Sequence, residues 1–66
     1  MLLKIKNKYC LRLKIPMLLE SNKYYDIDLS KNKRPILLLV SKKNVFLKVL
    51  YNGRLGWIYS ELIDEM

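Results

Sequence analysis

The chain has 66 residues, a length that suits one compact domain spanning residues 1–66 and excludes two. Its composition is 52% hydrophobic, with two glycines and two prolines, which excludes a low-complexity or disordered chain. The formal net charge of +7 on so small a surface favours an anionic partner, such as nucleic acid, a nucleotide or an acidic protein surface. The same charge has a plainer interpretation, which is that it keeps a small protein soluble.

Charge interrupts every short apolar run at the beginning of the chain, from Met1 to Lys6. This pattern contains neither the apolar core of a signal peptide nor a membrane-spanning segment. We therefore expect a cytoplasmic protein that does not bind a membrane.

The first predicted element is a strand over residues 3–15, because apolar and basic residues alternate there with a period of two. Asn7 is expected to bend this strand and Pro16 to end it, since proline offers no ladder donor. The odd positions would face a core: Leu3, Ile5, Tyr9, Leu11, Leu13 and Ile15. The even positions would form a basic solvent face, which is the candidate site for an anionic partner: Lys4, Lys6, Lys8, Arg12 and Lys14.

Further strands are predicted along the rest of the chain, separated by polar turns. Tyr24–Leu29 is a short strand, and the unbroken apolar run Ile36–Val40 is typical of a central strand. Residues 45–51 and 54–59 are rich in β-branched and aromatic residues, and Asn52-Gly53 between them is a strong hairpin signal. Residues 60–64 predict one helical turn and a short final strand.

These elements predict an all-β fold of about five short strands closed into a small barrel, because closure removes sheet edges that would aggregate. Trp57 is interpreted as an anchor in the core or at its rim. The side chains expected to be largely buried are Leu11, Leu13, Leu37, Leu39, Val49 and Trp57, whereas Lys4, Lys6, Arg12 and Lys14 are expected to be exposed.

A resemblance to a known family lies in the second half of the chain. The run K-V-L-Y-N-G-R-L-G-W-I at residues 48–58 resembles the K-V-x-Y-N-G-K-x-G-W-V of bacterial SH3 domains, and the likeness extends over residues 36–63. Residues 11–16 are similar to that family's L-N-V-R-S-G-P segment, but one residue shorter and without its glycine. The resemblance implies a small SH3-like barrel that works as a binding module.

Catalytic residue types are scarce in this sequence. There is no histidine, and Cys10 is alone, so neither an internal disulfide nor a zinc site is predicted, and Cys10 is interpreted as a small buried hydrophobe. Asp26 and Asp28 would share one strand face, but with lysines nearby they are interpreted as a charge-balanced edge and not as a catalytic or metal-binding pair. We expect a protein that is not an enzyme and uses no cofactor and no metal.

Three binding functions compete, because SH3-like barrels serve many unrelated roles. In the alignment through residues 56–58, the peptide-groove tryptophan, proline and tyrosine of eukaryotic SH3 domains fall at Val45, Tyr59 and Leu62, and these departures disfavour that role. Bacterial family members often attach secreted enzymes to cell-wall peptides, but no export signal is recognised here. The favoured interpretation is a free-standing intracellular module, like a small phage or host regulator, that docks on a protein or captures an anionic ligand.

Within that interpretation a protein partner is the leading expectation and nucleic acid the alternative. Tyrosine buries a large area at little entropic cost, so the candidate residues for binding a protein or ligand are Tyr24, Tyr25, Tyr59 and Arg54. A homo-oligomer is also considered, because a chain that is 52% apolar carries more hydrophobic surface than one small barrel hides.

Overall fold

The computed structural model describes residues 1–66 and folds them into seven strands and two single-turn 3-10 helices. The strands are β1 (Leu2–Ile5), β2 (Lys14–Leu19), β3 (Tyr24–Asp28), β4 (Ile36–Lys43), β5 (Phe46–Tyr51), β6 (Arg54–Tyr59) and β7 (Ile63–Glu65). The 3-10 turns are Asn7–Tyr9 and Ser60–Leu62. The all-β prediction is confirmed, with more strands than the five or so expected, because the first predicted strand is two and the short final strand is present.

All seven strands belong to one antiparallel sheet, in the order β3-β2-β6-β5-β4-β1-β7. The terminal strands of this order, β3 and β7, are not hydrogen-bonded to each other, so the predicted closure of the barrel is wrong. β7 has three residues, and β2 joins β6 through only two residue pairs. The β2–β3 hairpin at one end of the sheet and β7 at the other are therefore each attached to the rest of the sheet by a short ladder, and the two ends do not meet.

The hydrophobic core lies on the inner face of the curled sheet. It consists of 13 buried residues to which every strand contributes: Leu3, Ile5, Cys10, Ile15, Met17, Ile27, Leu29, Leu37, Leu47, Val49, Ile58, Leu62 and Ile63. Burial of Cys10, Leu37 and Val49 agrees with the sequence prediction, and Leu39 and Trp57 are half-buried. A single sheet can bury one face of all its strands only by curving around that face.

The predicted strand over residues 3–15 is wrong in its middle. The N–H groups of Tyr9, Cys10 and Arg12 donate to carbonyls three residues earlier in the chain, so this segment forms successive turns and no ladder. Alternation is lost there, and Leu11 and Leu13 are 88% and 71% exposed instead of buried. Arg12 and Lys14 are exposed as predicted, whereas Lys4 and Lys6 are half-buried.

Pro16 lies inside β2 and does not end it. The N–H of Leu29 donates to the carbonyl of Leu13 at 2.8 Å, and ladder bonds alternate along an antiparallel pair, so the odd-numbered residues of β2 bond to β3. The nitrogen of even-numbered Pro16 thus points away from β3. β6 pairs with β2 only from Leu18 onward, so the missing N–H of Pro16 costs no ladder bond.

Asparagines with positive φ shape three hairpin turns of the sheet. They are Asn22 (φ 63°) after β2, Asn44 (φ 55°) after β4 and Asn52 (φ 52°) after β5. Gly53 follows with φ 72°, so Asn52 and Gly53 both take the left-handed conformation that a two-residue type I′ hairpin requires. The hairpin predicted at Asn52-Gly53 is confirmed.

Candidate functional site

The outer face of the sheet carries an aromatic depression formed by β2, β5 and β6. Directly paired residues of neighbouring strands project to the same face, and the pairs Leu18–Trp57 and Phe46–Tyr59 therefore bring four large side chains together on the side opposite the core. The rings of Phe46 and Tyr59 lie 4.9 Å apart between centroids, with an interplanar angle of 30°. The result is an apolar, partly exposed surface within an otherwise basic protein.

Two adjoining depressions make up this surface. One has a volume of about 290 Å³ and the other of about 90 Å³, and both are lined by Leu18, Phe46 and Trp57. The larger continues to Lys43 and Asn44, at the turn after β4. We define the aromatic groove by its apolar lining: Pro16, Leu18, Tyr24, Phe46, Trp57 and Tyr59.

Two lysines give the aromatic groove its charge. The Nζ of Lys48 lies 5.6 Å from the centroid of the Trp57 ring and donates a 2.7 Å hydrogen bond to Glu20 Oε1. That hydrogen bond holds the pKa of Glu20 below its ordinary value. Lys43, at the other end of the aromatic groove, forms no ion pair with any carboxylate of the chain. It is therefore the charged group on this surface that remains available to a ligand.

The structure divides the four residues predicted to bind a protein or ligand. Tyr24 and Tyr59 lie on the aromatic groove and are 69% and 55% exposed. Tyr25, the next residue in β3, faces the other side of the sheet, where the guanidinium of Arg54 lies 4.3 Å from its ring centroid. The Nδ2 of Asn52 donates to the Tyr25 hydroxyl at 2.9 Å. Tyr25 and Arg54 thus brace the β5–β6 turn and do not join the groove.

Four lining residues of the aromatic groove were missed by the sequence prediction: Pro16, Leu18, Phe46 and Trp57. Trp57 had been interpreted only as a core or rim anchor, and it lines the groove while half-buried. The available signal was that β5 and β6 carry large apolar residues at both odd and even positions, which leaves an apolar set on the solvent side.

The five residues predicted as a basic strand face do not share one strand. Lys6 and Lys8 lie 3.6 and 3.4 Å from the carboxylate of Glu61, and Lys14 lies 3.3 Å from Asp26. Arg12 stacks over the ring of Tyr9, 4.8 Å from its centroid. Lys4 is half-buried on β1, opposite Asp64.

Glu61 is the centre of a small charged cluster at the 3-10 turn before β7. It accepts a hydrogen bond from Lys8 and one of 3.3 Å from the Tyr9 hydroxyl. The bond from Lys8 is the main cause that lowers the pKa of Glu61, and the same bond raises the pKa of Lys8. Two of the predicted anion-binding lysines are therefore engaged with a carboxylate of the chain itself.

A second group of basic residues, not among the predicted sites, lies in the loop after β3. Lys31, Lys33 and Arg34 form no ion pair, and the Nη1 of Arg34 donates to Asn7 Oδ1 at 2.9 Å. This bond brings the loop next to the 3-10 turn that carries Tyr9. The ring of Tyr9 is half-buried and has the cations of both Lys8 and Arg12 against it.

The two carboxylates of β3 are engaged with neighbouring side chains. Asp26 bonds to Lys14, and Asp28 accepts hydrogen bonds from the hydroxyl and backbone N–H of Ser30, which lower its pKa. No three histidine, cysteine, aspartate or glutamate side chains lie close enough together to hold a metal ion. Neither 3-10 turn, nor any other helical segment, has the length and apolar character needed to cross a membrane.

Comparison of the chain with protein-family models, with curated proteins and with solved structures gave no match. The candidate site is therefore interpreted from its own geometry.

Proposed function

We propose that the protein is a non-catalytic binding module that docks a peptide segment of a partner protein in the aromatic groove. The observation that carries this proposal is the clustering of Phe46, Trp57 and Tyr59 with Leu18 in one concave, solvent-open surface. Tryptophan and tyrosine are the residues that most often dominate protein interfaces, because they bury much apolar area and keep a polar end for hydrogen bonding. The SH3-like resemblance of residues 36–63 is in keeping with such a role.

The ligand chemistry follows from the two ends of the aromatic groove. Its floor is apolar, so it accepts apolar side chains of an extended segment, and the hydroxyls of Tyr24 and Tyr59 are hydrogen-bond partners for that segment's backbone. Lys43 at the far end, unpaired within the chain, favours a carboxylate there. The net charge of +7 attracts an acidic segment over longer distances. The expected ligand is an apolar peptide motif flanked by aspartate or glutamate.

Nucleic-acid binding is the weaker alternative on this geometry. Single strands are gripped by basic grooves with exposed aromatic faces on which bases stack. Here three of the five predicted basic residues are paired with carboxylates, and the one aromatic ring among them, Tyr9, is already covered by cations. The exposed aromatic rings lie instead in the aromatic groove, which has an apolar floor.

The direct test is selection of peptides from a random displayed library on the immobilised protein. We expect the selected motifs to have apolar residues next to acidic ones. The Kd of a labelled peptide with such a motif is then measured by fluorescence anisotropy. Tyr59→Ala should raise Kd about 5- to 30-fold, because truncation of an interface tyrosine costs about 1–2 kcal/mol. Lys43→Glu should also raise the Kd for acidic peptides. The matched control Lys31→Glu, in the loop after β3, should leave that Kd unchanged.

Random single- and double-stranded DNA and RNA provide the opposing arm of the test. We expect no binding at micromolar concentrations and low salt. Binding with a log–log salt slope near −4, as about five phosphate contacts would give, and with no effect of Tyr59→Ala, would reject the peptide proposal in favour of nucleic acid.

A further inference from the structure

A second apolar surface lies on the outer face of the sheet, beside the aromatic groove: Leu55 and Trp57 are successive outward residues of β6. Leu38 of β4 is directly opposite Leu2 of β1 on one side and Leu50 of β5 on the other, and Leu50 is opposite Leu55 of β6. The N–H of Met66 donates to the carbonyl of Leu2, which extends the row past β7. We define the leucine patch as this row with its two neighbours on β4: Leu2, Ile36, Leu38, Val40, Leu50, Leu55 and Met66.

The leucine patch is open to solvent although its sequence is typical of a covered strand. Along β4, Leu37 is fully buried in the core, while Ile36, Leu38 and Val40 on the outer side are 53%, 41% and 51% exposed. An unbroken apolar run is typical of strands that are buried on both faces. The outer face of β4 thus has the composition of a buried surface, and no part of this chain covers it.

The size of the leucine patch suits a protein interface. It crosses five strands, and four inter-strand spacings of about 4.8 Å make it roughly 19 Å wide along the curved surface of the sheet. The whole molecule measures 26 × 23 × 19 Å. A standard interface takes about 800 Å² from each partner, which is about a sixth of the accessible surface of 4567 Å². A patch this wide therefore covers much of one side of the molecule.

The charge distribution indicates what covers the leucine patch. The chain carries +7, so two copies repel each other wherever basic side chains meet. The outer face beside the patch carries charges of both signs, Lys4 on β1 and Asp64 opposite it on β7. Asp64 is the one carboxylate of the chain that forms neither an ion pair nor a side-chain hydrogen bond. Lys4 and Asp64 together therefore add no net charge to this border of the leucine patch, and they add no net repulsion between two copies there.

We propose that two copies of the chain associate face to face through the leucine patch, as a two-fold symmetric dimer. In an isologous interface the symmetry axis passes through the centre of the contact, so the central residue meets its own counterpart. Leu38 is that residue, since it has patch neighbours on both adjacent strands and on both sides along β4. Because the sheet curls around its core, the contact is centred on β4 and its two neighbouring strands, where each copy covers the apolar outer face of the other. Phe46 and Tyr59 of the aromatic groove pair at the opposite end of β5 and β6 from Leu50 and Leu55, and they remain accessible.

Sedimentation equilibrium of the full chain over a range of concentrations tests the proposal. We expect a dimer, and we expect Leu38→Glu to raise its dissociation constant about 100-fold or more, because it places an unpaired charge in the buried contact. The matched control is Leu11→Glu, at a leucine that is 88% exposed on a turn outside the patch, and it should leave the dimer intact. Cooperative thermal unfolding of Leu38→Glu verifies that the variant is folded.

Cross-linking provides a second, independent measurement. In a Cys10→Ala background, Leu38→Cys should give covalent dimers with a short bismaleimide, whereas Val45→Cys, exposed on the β4–β5 turn, should not. A wild-type protein that is monomeric at millimolar concentration would overturn the proposal. So would a Leu11→Glu variant whose dimer dissociates as readily as that of Leu38→Glu, or equal cross-linking of the Leu38→Cys and Val45→Cys variants. Tyr59→Ala should leave the dimer intact, so failure of peptide binding and failure of dimerisation are distinguishable.

Discussion

Gly56 lies where β6 approaches β2 more closely than a side chain allows. A Cβ atom at this position would be 2.7 Å from the Cγ of Met17 and 2.8 Å from the backbone oxygen of Leu18. The methionine side chain can rotate away, but the strand backbone cannot. Gly56→Ala must therefore push β2 away from β6, at the junction that has only two residue pairs.

The cost of Gly56→Ala can be estimated from this geometry. Overpacking of a tight site costs about 1–3 kcal/mol, and we expect about 3 because one of the two contacts is with backbone. A chain of this length has a total stability on the order of 3–10 kcal/mol. The substitution thus removes a large part of it, and the midpoint of thermal unfolding should fall by more than about 10 °C.

Gly53→Ala is the matched control for this prediction. A Cβ at Gly53 meets nothing within 4 Å, and its only penalty is the positive φ of 72°, which costs about 1–2 kcal/mol. Urea unfolding followed by the fluorescence of Trp57, the one tryptophan of the chain, gives both free energies. The emission of folded Gly56→Ala should also differ from wild type, because Trp57 pairs with the displaced β2. A loss below about 0.5 kcal/mol for Gly56→Ala would refute the close packing of β2 against β6.

Two further predictions concern the core and the charged cluster at Glu61. Leu37→Ala should lower the free energy of unfolding by about 2–5 kcal/mol, because Leu37 is fully buried. Leu11→Ala should change it by less than about 0.5 kcal/mol, because Leu11 is exposed. Equal losses for the two variants in chemical denaturation would contradict the burial of Leu37 and the exposure of Leu11. The pKa of Glu61 is lowered by folding, so its contribution to stability is present above its ordinary value of 4.5 and is lost as the pH falls through the lowered value. As the pH falls from 4.5 to the lowered pKa of Glu61, denaturation midpoints should therefore decrease less steeply for Glu61→Gln than for wild type.

The second half of the chain was predictable from sequence because its structure is locally encoded. The β5–β6 hairpin follows from Asn52-Gly53, whose two left-handed residues fix the register of the strands on either side. The strand beginning at Ile36, the 3-10 turn at Ser60 and the short last strand also lie where the sequence predicts them. In each case a turn signal within a few residues marks the boundary.

The first half was less predictable because its pattern fits two structures. Residues 3–15 alternate as one strand would, yet the segment from Lys6 to Arg12 closes its hydrogen bonds within successive turns. The inward direction resumes at Ile15, so the alternation on both sides of the interruption remains in phase with a single strand. The alternation of apolar and basic residues therefore could not predict the exposure of Leu11 and Leu13, because the same alternation holds for the strand residues before and after them.

The candidate site was predictable only in part, for a similar reason. Phe46, Trp57 and Tyr59 of the aromatic groove belong to the β5–β6 hairpin, but Leu18 and Tyr24 come from β2 and β3, which are distant from it in sequence. Which aromatic residues meet depends on the strand order and on the register of β2 against β6. Neither the strand order nor the register of β2 against β6 can be predicted from a pattern of neighbouring residues.

By itself the sequence determined that this protein is all-β, where the strands of the β5–β6 hairpin lie, and that it carries a large positive charge; it did not predict that β4 continues beyond Val40 to Lys43. Those properties depend on side-chain periodicity, turn chemistry and composition, which act over a few residues. Only the tertiary structure decided that the sheet remains open, that apolar side chains populate its outer face, and that three of the five basic residues predicted to bind anions pair with carboxylates of the chain. Those outcomes depend on which distant strands become neighbours, because an apolar strand residue is buried only if another element covers the face to which it points.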